Sequence, residues 1–92
     1  MKVLRVCLYS MLVLVLASCG ARPEDVASHI RWTGQSSVII DTAGKTVYID
    51  PWHLKEIKTA ALILITHSHY DHLSIHDIAS ITGPDTIILA PA

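Results

Sequence analysis

The chain has 92 residues, 51% of them apolar, with 7 Lys and Arg against 8 Asp and Glu and a formal net charge of −1. No cluster of basic residues is present, which argues against nucleic acid as a partner. The two cysteines, Cys7 and Cys19, both lie near the N-terminus, so the sequence after Cys19 has no pair of cysteines for a disulfide.

The N-terminus has the pattern of an export signal. Residues 1–5 include Lys2 and Arg5, residues 6–17 form an apolar run, and residues 16–19 read Leu-Ala-Ser-Cys. A basic start, a short apolar run and small residues before a cleavage point are typical of a signal peptide. The apolar run is shorter than the roughly 20 residues that a membrane-spanning helix needs.

The Leu-Ala-Ser-Cys ending resembles the lipobox of bacterial lipoproteins. That resemblance implies lipidation of Cys19 behind a signal peptide over residues 1–18. The polar residues that follow contain Pro23 and have no periodicity, so residues 19–28 are expected to form a short tether. We therefore expect an exported lipoprotein, anchored to a membrane and facing the periplasm or the cell exterior. A plain secretory signal and a retained apolar anchor helix stay open as alternatives. Loss of the signal would leave a net charge of −3.

Residues 29–92 are predicted to form the folded domain, beginning with three strands. Alternation of polar and apolar residues predicts a strand over residues 29–33, and apolar β-branched residues predict two more over 36–41 and 46–50. The turn at 42–45 contains a glycine and joins the last two strands as a hairpin. Pro51 ends the third strand because it has no N–H to donate.

Two further strands are predicted later in the chain. A polar connector over residues 52–59 precedes the continuous apolar run 61–65, whose length and β-branched residues favour a strand buried on both faces. A final strand is expected over residues 86–89.

A helix is predicted between these two strands. Ser74 and Asp77 have the spacing of a capping box, with Asp77 in the place of Glu or Gln. The helix should run to about residue 81, where Gly-Pro at 83–84 ends it. Its apolar residues are expected to face inward: Ile75, Ile78, Ala79 and Ile81.

The most informative stretch is Thr-His-Ser-His-Tyr-Asp-His at residues 66–72. It concentrates imidazole and carboxylate groups, which are common metal ligands. In an extended segment side chains alternate, so His67, His69 and Asp71 would point to one side, and a turn would bring His72 to the same site. The alternative is a histidine-rich surface loop.

Three stretches carry a resemblance to a known family. Residues 67–72 resemble the His-x-His-x-Asp-His signature of the metallo-β-lactamase-fold hydrolases. Residues 32–38, Trp-Thr-Gly-Gln-Ser-Ser-Val, and residues 48–52, Tyr-Ile-Asp-Pro-Trp, are similar to motifs of one branch. That branch contains L-ascorbate-6-phosphate lactonase-like proteins and the N-acylphosphatidylethanolamine phospholipase D type. The implied fold is α+β, the incomplete N-terminal half of an αββα sandwich.

The resemblance also implies a di-metal hydrolase of an ester, lactone or phosphodiester bond. It places His67 and His69 on one ion and Asp71 and His72 on a second, with Asp71 also orienting the attacking hydroxide. Two Zn²⁺ ions are expected, with Mn²⁺ or Fe²⁺ as alternatives, and an anionic small molecule is the expected substrate. Asp50 is predicted to support the ligands from behind; a strand-end Asp that accepts turn N–H groups is the alternative.

Each ion would obtain only two ligands from this chain, whereas catalytic zinc usually has three. We therefore expect the N-terminal part of a larger hydrolase, inactive alone and completed by a missing C-terminal half or a partner chain. A non-catalytic, truncated metal-binding lipoprotein module is the alternative. For Trp32 and Trp52, packing in the core is expected over a position at the substrate mouth. The remaining histidines, His29, His53 and His76, are predicted to lie at the surface.

Overall fold

The structure is a computed structural model that describes Gly20 and residues 22–92. In this part of the chain, two helices and five strands follow one another: α1 Pro23–Ala27, β1 Ile30–Gly34, β2 Ser37–Thr42, β3 Lys45–Ile49, β4 Leu62–Leu64, α2 Ile75–Ile81 and β5 Ile87–Leu89. The strands form one sheet in the order β1-β2-β3-β4-β5. The first three are antiparallel, and β3, β4 and β5 are parallel. This mixed sheet with few helices confirms the α+β prediction.

The hairpin of β2 and β3 forms where the sequence predicts it. Thr42 pairs with Lys45, which leaves Ala43 and Gly44 as a two-residue loop. Both loop residues have positive φ, 48° and 74° respectively. Two-residue hairpin loops favour this conformation because its twist matches that of the flanking strands.

The core lies on one face of the sheet. Ile39, Tyr48 and Ile63 face each other across β2, β3 and β4 and are almost fully buried. Ile81 of α2 packs against this layer, and the segment before β4 covers Tyr48, whose hydroxyl donates to the Lys58 carbonyl at 3.0 Å. The neighbouring residues of the strands give the other face of the sheet, which is also apolar and is only partly covered.

Helix α2 starts as predicted, but the predicted inward face is wrong in part. Ser74 is the N-cap and accepts the backbone N–H of Asp77. Ile75 is 70% exposed and Ala79 is also exposed, whereas Asp77 and Ile81 are buried. The helix turns Asp77 inward because its carboxylate accepts backbone N–H groups of the segment before β4.

The segment before β1 also differs from its prediction. Residues 23–27 form the short helix α1, where an irregular tether was expected. Pro23 stands at the first helical position, where its missing N–H costs nothing. The side chain of Asp25 accepts the backbone N–H of Arg22 at 3.3 Å, and acidic residues favour the first turn of a helix.

The predicted signal peptide and Cys19 lie outside the described residues. Within Gly20 and residues 22–92, no helix has both the length and the hydrophobicity to cross a membrane.

Candidate metal centre

The candidate site lies at one edge of the sheet, where several chain segments meet. β3 and β4 are parallel, so their carboxyl ends reach the same edge. Asp50 directly follows β3, and its backbone N–H donates to the carbonyl of Leu64 at the end of β4 at 2.9 Å. The turn between β1 and β2 reaches this edge too. The topology therefore brings Asp50, the β1–β2 turn and the histidine motif together.

Asp50 is the buried centre of this edge. Its side chain is 2% exposed and its φ is +47°. One carboxylate oxygen accepts the backbone N–H of Thr66 at 2.8 Å, and the other accepts the Thr66 hydroxyl at 2.6 Å. His72 Nδ1 lies 2.7 Å from the second oxygen. Burial raises the pKa of the Asp50 carboxyl, but the hydrogen bonds from His72 and Thr66 outweigh burial and lower that pKa below its ordinary value.

These contacts fix the tautomer of His72. An ionised carboxylate can only accept a hydrogen bond, so His72 Nδ1 must carry the proton that lies between it and Asp50. The lone pair of a neutral His72 is then on Nε2, which lies 3.5 Å from Ser36 Oγ. Asp50 accepts an N–H at the end of a strand and also contacts a motif histidine, so its position is compatible with both interpretations.

The motif itself bends earlier than predicted. The backbone N–H groups of His72 and Leu73 both donate to the carbonyl of His69 at 2.9 Å. A turn therefore covers residues 70–72, and the prediction of an extended segment as far as Asp71 is wrong. The tight turn satisfies the His69 carbonyl directly, and it still gathers the motif side chains.

The four predicted ligands form two pairs. His67 Nε2 and His69 Nδ1 are 3.1 Å apart, and His72 Nε2 is 3.8 Å from Asp71 Oδ1. The His67 and His72 rings lie against each other with centroids 3.8 Å apart. Among the described residues, no group of three or more His, Cys, Asp or Glu side chains could hold a metal ion.

The spacing within each pair fits a shared ion. Two ligand atoms at about 2.0–2.2 Å from a tetrahedral Zn²⁺ lie roughly 3.4 Å from each other. The observed separations of 3.1 Å and 3.8 Å bracket that value. The arrangement of Asp50 behind His72 matches the carboxylate–histidine pattern that orients metal ligands in proteins. The donor set therefore fits metal binding, two ligands to an ion.

The β1–β2 turn supplies two residues that the ligand pattern alone does not identify. Gln35 Nε2 donates to Asp71 Oδ2 at 2.9 Å, and Ser36 Oγ lies 3.0 Å from His72 Nδ1. The hydrogen bond from Gln35 lowers the pKa of Asp71. The signal for this turn was the motif over residues 32–38, which indicated a family branch without giving a role to either side chain.

Aromatic residues lie beside the motif at the surface. Trp52 stacks on His53, with ring centroids 4.3 Å apart, and meets Tyr70 edge-on at 5.7 Å. Trp32 is 73% exposed, so the prediction that it packs in the core is wrong. Its indole N–H donates to the carbonyl of Gln35 at 2.7 Å, which holds the ring at the surface.

Asp77 is the second buried carboxylate near the site, and the sequence analysis predicts only a capping role for it. It accepts the backbone N–H groups of His53 at 3.1 Å and Leu54 at 2.9 Å. Burial raises the pKa of Asp77, while the Ser74 hydroxyl and these two N–H groups lower it, and the net effect is a lowered pKa. Asp77 thus ties α2 to the loop that carries the aromatic cluster.

A cavity of about 390 Å³ opens next to the first ligand pair. Its walls include Ile65, His67, Ser68 and Leu73, together with residues 90–92. His67 is therefore the predicted ligand that lines this cavity.

Comparison with known proteins agrees with this geometry. A family model described as "Beta-lactamase superfamily domain" matches residues 29–88. A UPF0173 metal-dependent hydrolase of Thermodesulfovibrio yellowstonii is 40% identical over 86 aligned residues, which cover 79% of this chain and 30% of that protein. Another UPF0173 metal-dependent hydrolase, from Pyrobaculum arsenaticum, is 38% identical over 65 residues, covering 59% of this chain and 29% of the relative.

A solved structure shows the same fold. The crystal structure of a protein from Parabacteroides distasonis, assigned as a metal-dependent hydrolase, superposes with a TM-score of 0.61 at 28% identity. The match covers 67% of this chain and 30% of that one, so the chain spans less than a third of the length of these relatives. With a matching family model over most of its described length, the chain belongs to the beta-lactamase superfamily domain family, among relatives that are metal-dependent hydrolases.

Proposed function

We propose that this chain provides the first ligands of a metal-dependent hydrolytic site. The observation that carries the proposal is the pairing of His67 Nε2 with His69 Nδ1 and of His72 Nε2 with Asp71 Oδ1 at one sheet edge. His67 and His69 would hold one ion, and Asp71 and His72 a second. Zn²⁺ suits imidazole and carboxylate ligands best, with Mn²⁺ or Fe²⁺ as alternatives.

Metal ions of this kind lower the pKa of water and polarise the bond to be cleaved. The residues of this chain contribute orientation. Asp50 would keep the His72 proton on Nδ1, and the carboxylate of Asp71 would orient a hydroxide nucleophile. We propose an ester, lactone or phosphodiester as the scissile bond, in an anionic small molecule that the positive charge of two ions would attract.

The ligand count limits what the 92 residues do alone. Catalytic zinc generally has three protein ligands and one open position, and the described residues bring two to each ion. We therefore propose that the isolated chain binds metal without measurable turnover, and that further ligands complete the site in the active protein. The relatives are about three times longer than the matched segment, which supports this division.

A chimera tests the proposal. Residues 29–92 would replace the aligned segment of the Thermodesulfovibrio yellowstonii relative, and both proteins would be assayed against a panel of phosphodiesters, lactones and esters. We expect the chimera to show metal-dependent hydrolysis of any substrate that the relative cleaves. His67→Ala should abolish this activity, and His76→Ala should leave it unchanged. An active relative and a folded, inactive chimera would overturn the proposal.

For localisation, we propose that the mature chain starts at Cys19 and carries a lipid anchor on the periplasmic or outer side of a membrane. The support is the sequence pattern of residues 1–19. Those residues lie outside the described part of the chain.

A further inference from the structure

In the described part of the chain, the side chains of the β1–β2 turn form hydrogen bonds with one of the two ligand pairs and not with the other. Gln35 donates to Asp71 at 2.9 Å, and its neighbour Ser36 lies 3.0 Å from His72. Among the hydrogen bonds of the described residues, His67 and His69 have none to this turn. Of the two ligand pairs, it is therefore Asp71 and His72 that the side chains of this turn can orient.

Gln35 is itself held in place from the other side. Its φ is +53°, in the left-handed region that non-glycine residues seldom adopt. The indole N–H of Trp32 donates to the Gln35 carbonyl at 2.7 Å, which fixes the backbone in this conformation. Such outliers persist only where the surrounding structure holds them, and they cluster at functional sites. The exposed indole of Trp32 is thus linked to Asp71 through two hydrogen bonds of Gln35, one to its carbonyl and one from its side-chain amide.

The contact decides which oxygen of Asp71 is available. Gln35 Nε2 occupies Oδ2, while Oδ1 is the oxygen that faces His72 Nε2 at 3.8 Å. We propose that Gln35 is a positioning residue of the metal site: its amide holds Asp71 Oδ2 so that Oδ1 is presented beside His72 Nε2 for an ion. Trp32 supports it by holding the Gln35 backbone. The inference rests on the proposed function, because it needs Asp71 and His72 to share an ion.

Two substitutions at position 35 separate the side-chain contact from the backbone conformation. Gln35→Asn keeps an amide and tolerates positive φ well, but it is one methylene too short to reach Asp71. Gln35→Met keeps the length and has no donor. Both variants should fold, and both should lose the hydrogen bond to Asp71 Oδ2.

Zn²⁺ titration of the full chain, followed through the imidazole resonances of each histidine by NMR, tests the proposal. Residues that hydrogen-bond to metal ligands usually contribute about 10–100-fold to metal affinity. Both variants should therefore weaken the Zn²⁺ binding seen at His72 by about tenfold. They should change the binding seen at His67 and His69 by less than about twofold. Equal loss at all three histidines, as general unfolding would cause, would contradict the proposal.

Asp71→Asn distinguishes failure of this inference from failure of the proposed function. If Asp71→Asn weakens binding at His72 and both Gln35 variants do not, the positioning role of Gln35 is wrong and the metal site stands. If wild-type His72 does not respond to Zn²⁺ at all, the metal site and this inference fall together.

The role of Trp32 has its own test. Trp32→Phe removes the indole N–H and should reproduce part of the loss at His72. Since both residues act through one contact, the double variant with Gln35→Asn should bind no more weakly than Gln35→Asn alone. Fully additive losses would mean that Trp32 does not act through Gln35.

Discussion

Replacing Asp50 by Asn would disturb the site at its most buried point. The carboxylate is 2% exposed and accepts three donors, two from Thr66 and one from His72. Asn has nearly the same shape, but one of its two terminal atoms is a donor. Whichever way the amide points, one contact that now joins a donor to an acceptor must change.

The two orientations have different consequences. If the NH₂ faces the backbone N–H of Thr66, the buried NH₂ is left without an acceptor, which costs about 1–3 kcal/mol of stability. If it faces the Thr66 hydroxyl and His72, then His72 Nδ1 must become an acceptor and its proton moves to Nε2, the atom offered to a metal. The second orientation is cheaper, since the hydroxyl can rotate and donate elsewhere.

We therefore expect Asp50→Asn to lose at most about 1–3 kcal/mol of unfolding free energy and to bind Zn²⁺ about 10–100-fold more weakly. Asp50→Ala leaves all three donors without an acceptor and should cost more stability. Asp85→Asn, on an exposed turn, is the matched control and should change neither quantity.

The assay combines urea unfolding of the metal-free chain with Zn²⁺ titration and ¹⁵N NMR of the His72 ring. The expected signature in Asp50→Asn is a His72 tautomer with the proton on Nε2. An unchanged tautomer together with unchanged Zn²⁺ affinity would refute the reasoning that Asp50 sets the ligand atom of His72.

Four further outcomes follow from the same structure. Asp77→Ala should lower the unfolding free energy by about 2–4 kcal/mol in urea unfolding, because the backbone N–H groups of His53 and Leu54 would lose their acceptor. A loss no larger than in Asp85→Ala would contradict this. The pKa of Asp77 is lower in the folded chain than its ordinary value of 3.8, so its contribution to stability is present above about pH 5 and is lost as the pH falls through the folded value. The loss of folded signal with falling pH, followed by circular dichroism, should consequently be less steep in Asp77→Asn than in the wild type. Identical acid-unfolding curves would contradict this contribution of Asp77. Gly83→Ala should destabilise by about 1–3 kcal/mol, since a Cβ there would lie 2.6 Å from Thr59 Cγ2; a wild-type melting temperature would show that this contact relaxes freely. Cys19→Ala should move the protein from the membrane fraction to the soluble fraction on cell fractionation, and unchanged partitioning would rule out the lipid anchor.

Much of the architecture is encoded locally and was predictable. The strands follow from short apolar runs, and the β2–β3 turn from a glycine at its second position. The start of α2 follows from Ser74 and Asp77, which are only three residues apart. Each of these features depends on neighbouring residues, so the pattern of side chains along the chain is sufficient to specify it.

The errors come from contacts between distant segments. The buried face of α2 is set by Asp77 reaching a loop 23 and 24 residues earlier, which no helical periodicity contains. Gln35 and Ser36 reach the motif across 36 residues. The exposure of Trp32 is a local exception: its indole N–H donates to the carbonyl of Gln35, three residues later, where the backbone has a positive φ. Hydrophobicity alone predicts the opposite.

The candidate site was predictable to the extent that its chemistry is concentrated in one stretch. Residues 67–72 contain all four predicted ligands, and Asp50 is predicted behind them because it ends a strand in an Asp-Pro context that resembles the family motif. The resemblance implied the pairing of His67 with His69 and of Asp71 with His72, but the turn that begins at His69 was not predictable from the alternation of side chains.

The most direct test of the central claim is a calorimetric titration of the metal-free chain with Zn²⁺, for the wild type, His67→Ala and His76→Ala. His76 is exposed on α2 outside the motif, so it controls for general loss of an imidazole. We expect the wild type and His76→Ala to bind Zn²⁺ alike, and His67→Ala to bind at least about tenfold more weakly. Equal binding by all three proteins would show that the motif does not hold the metal.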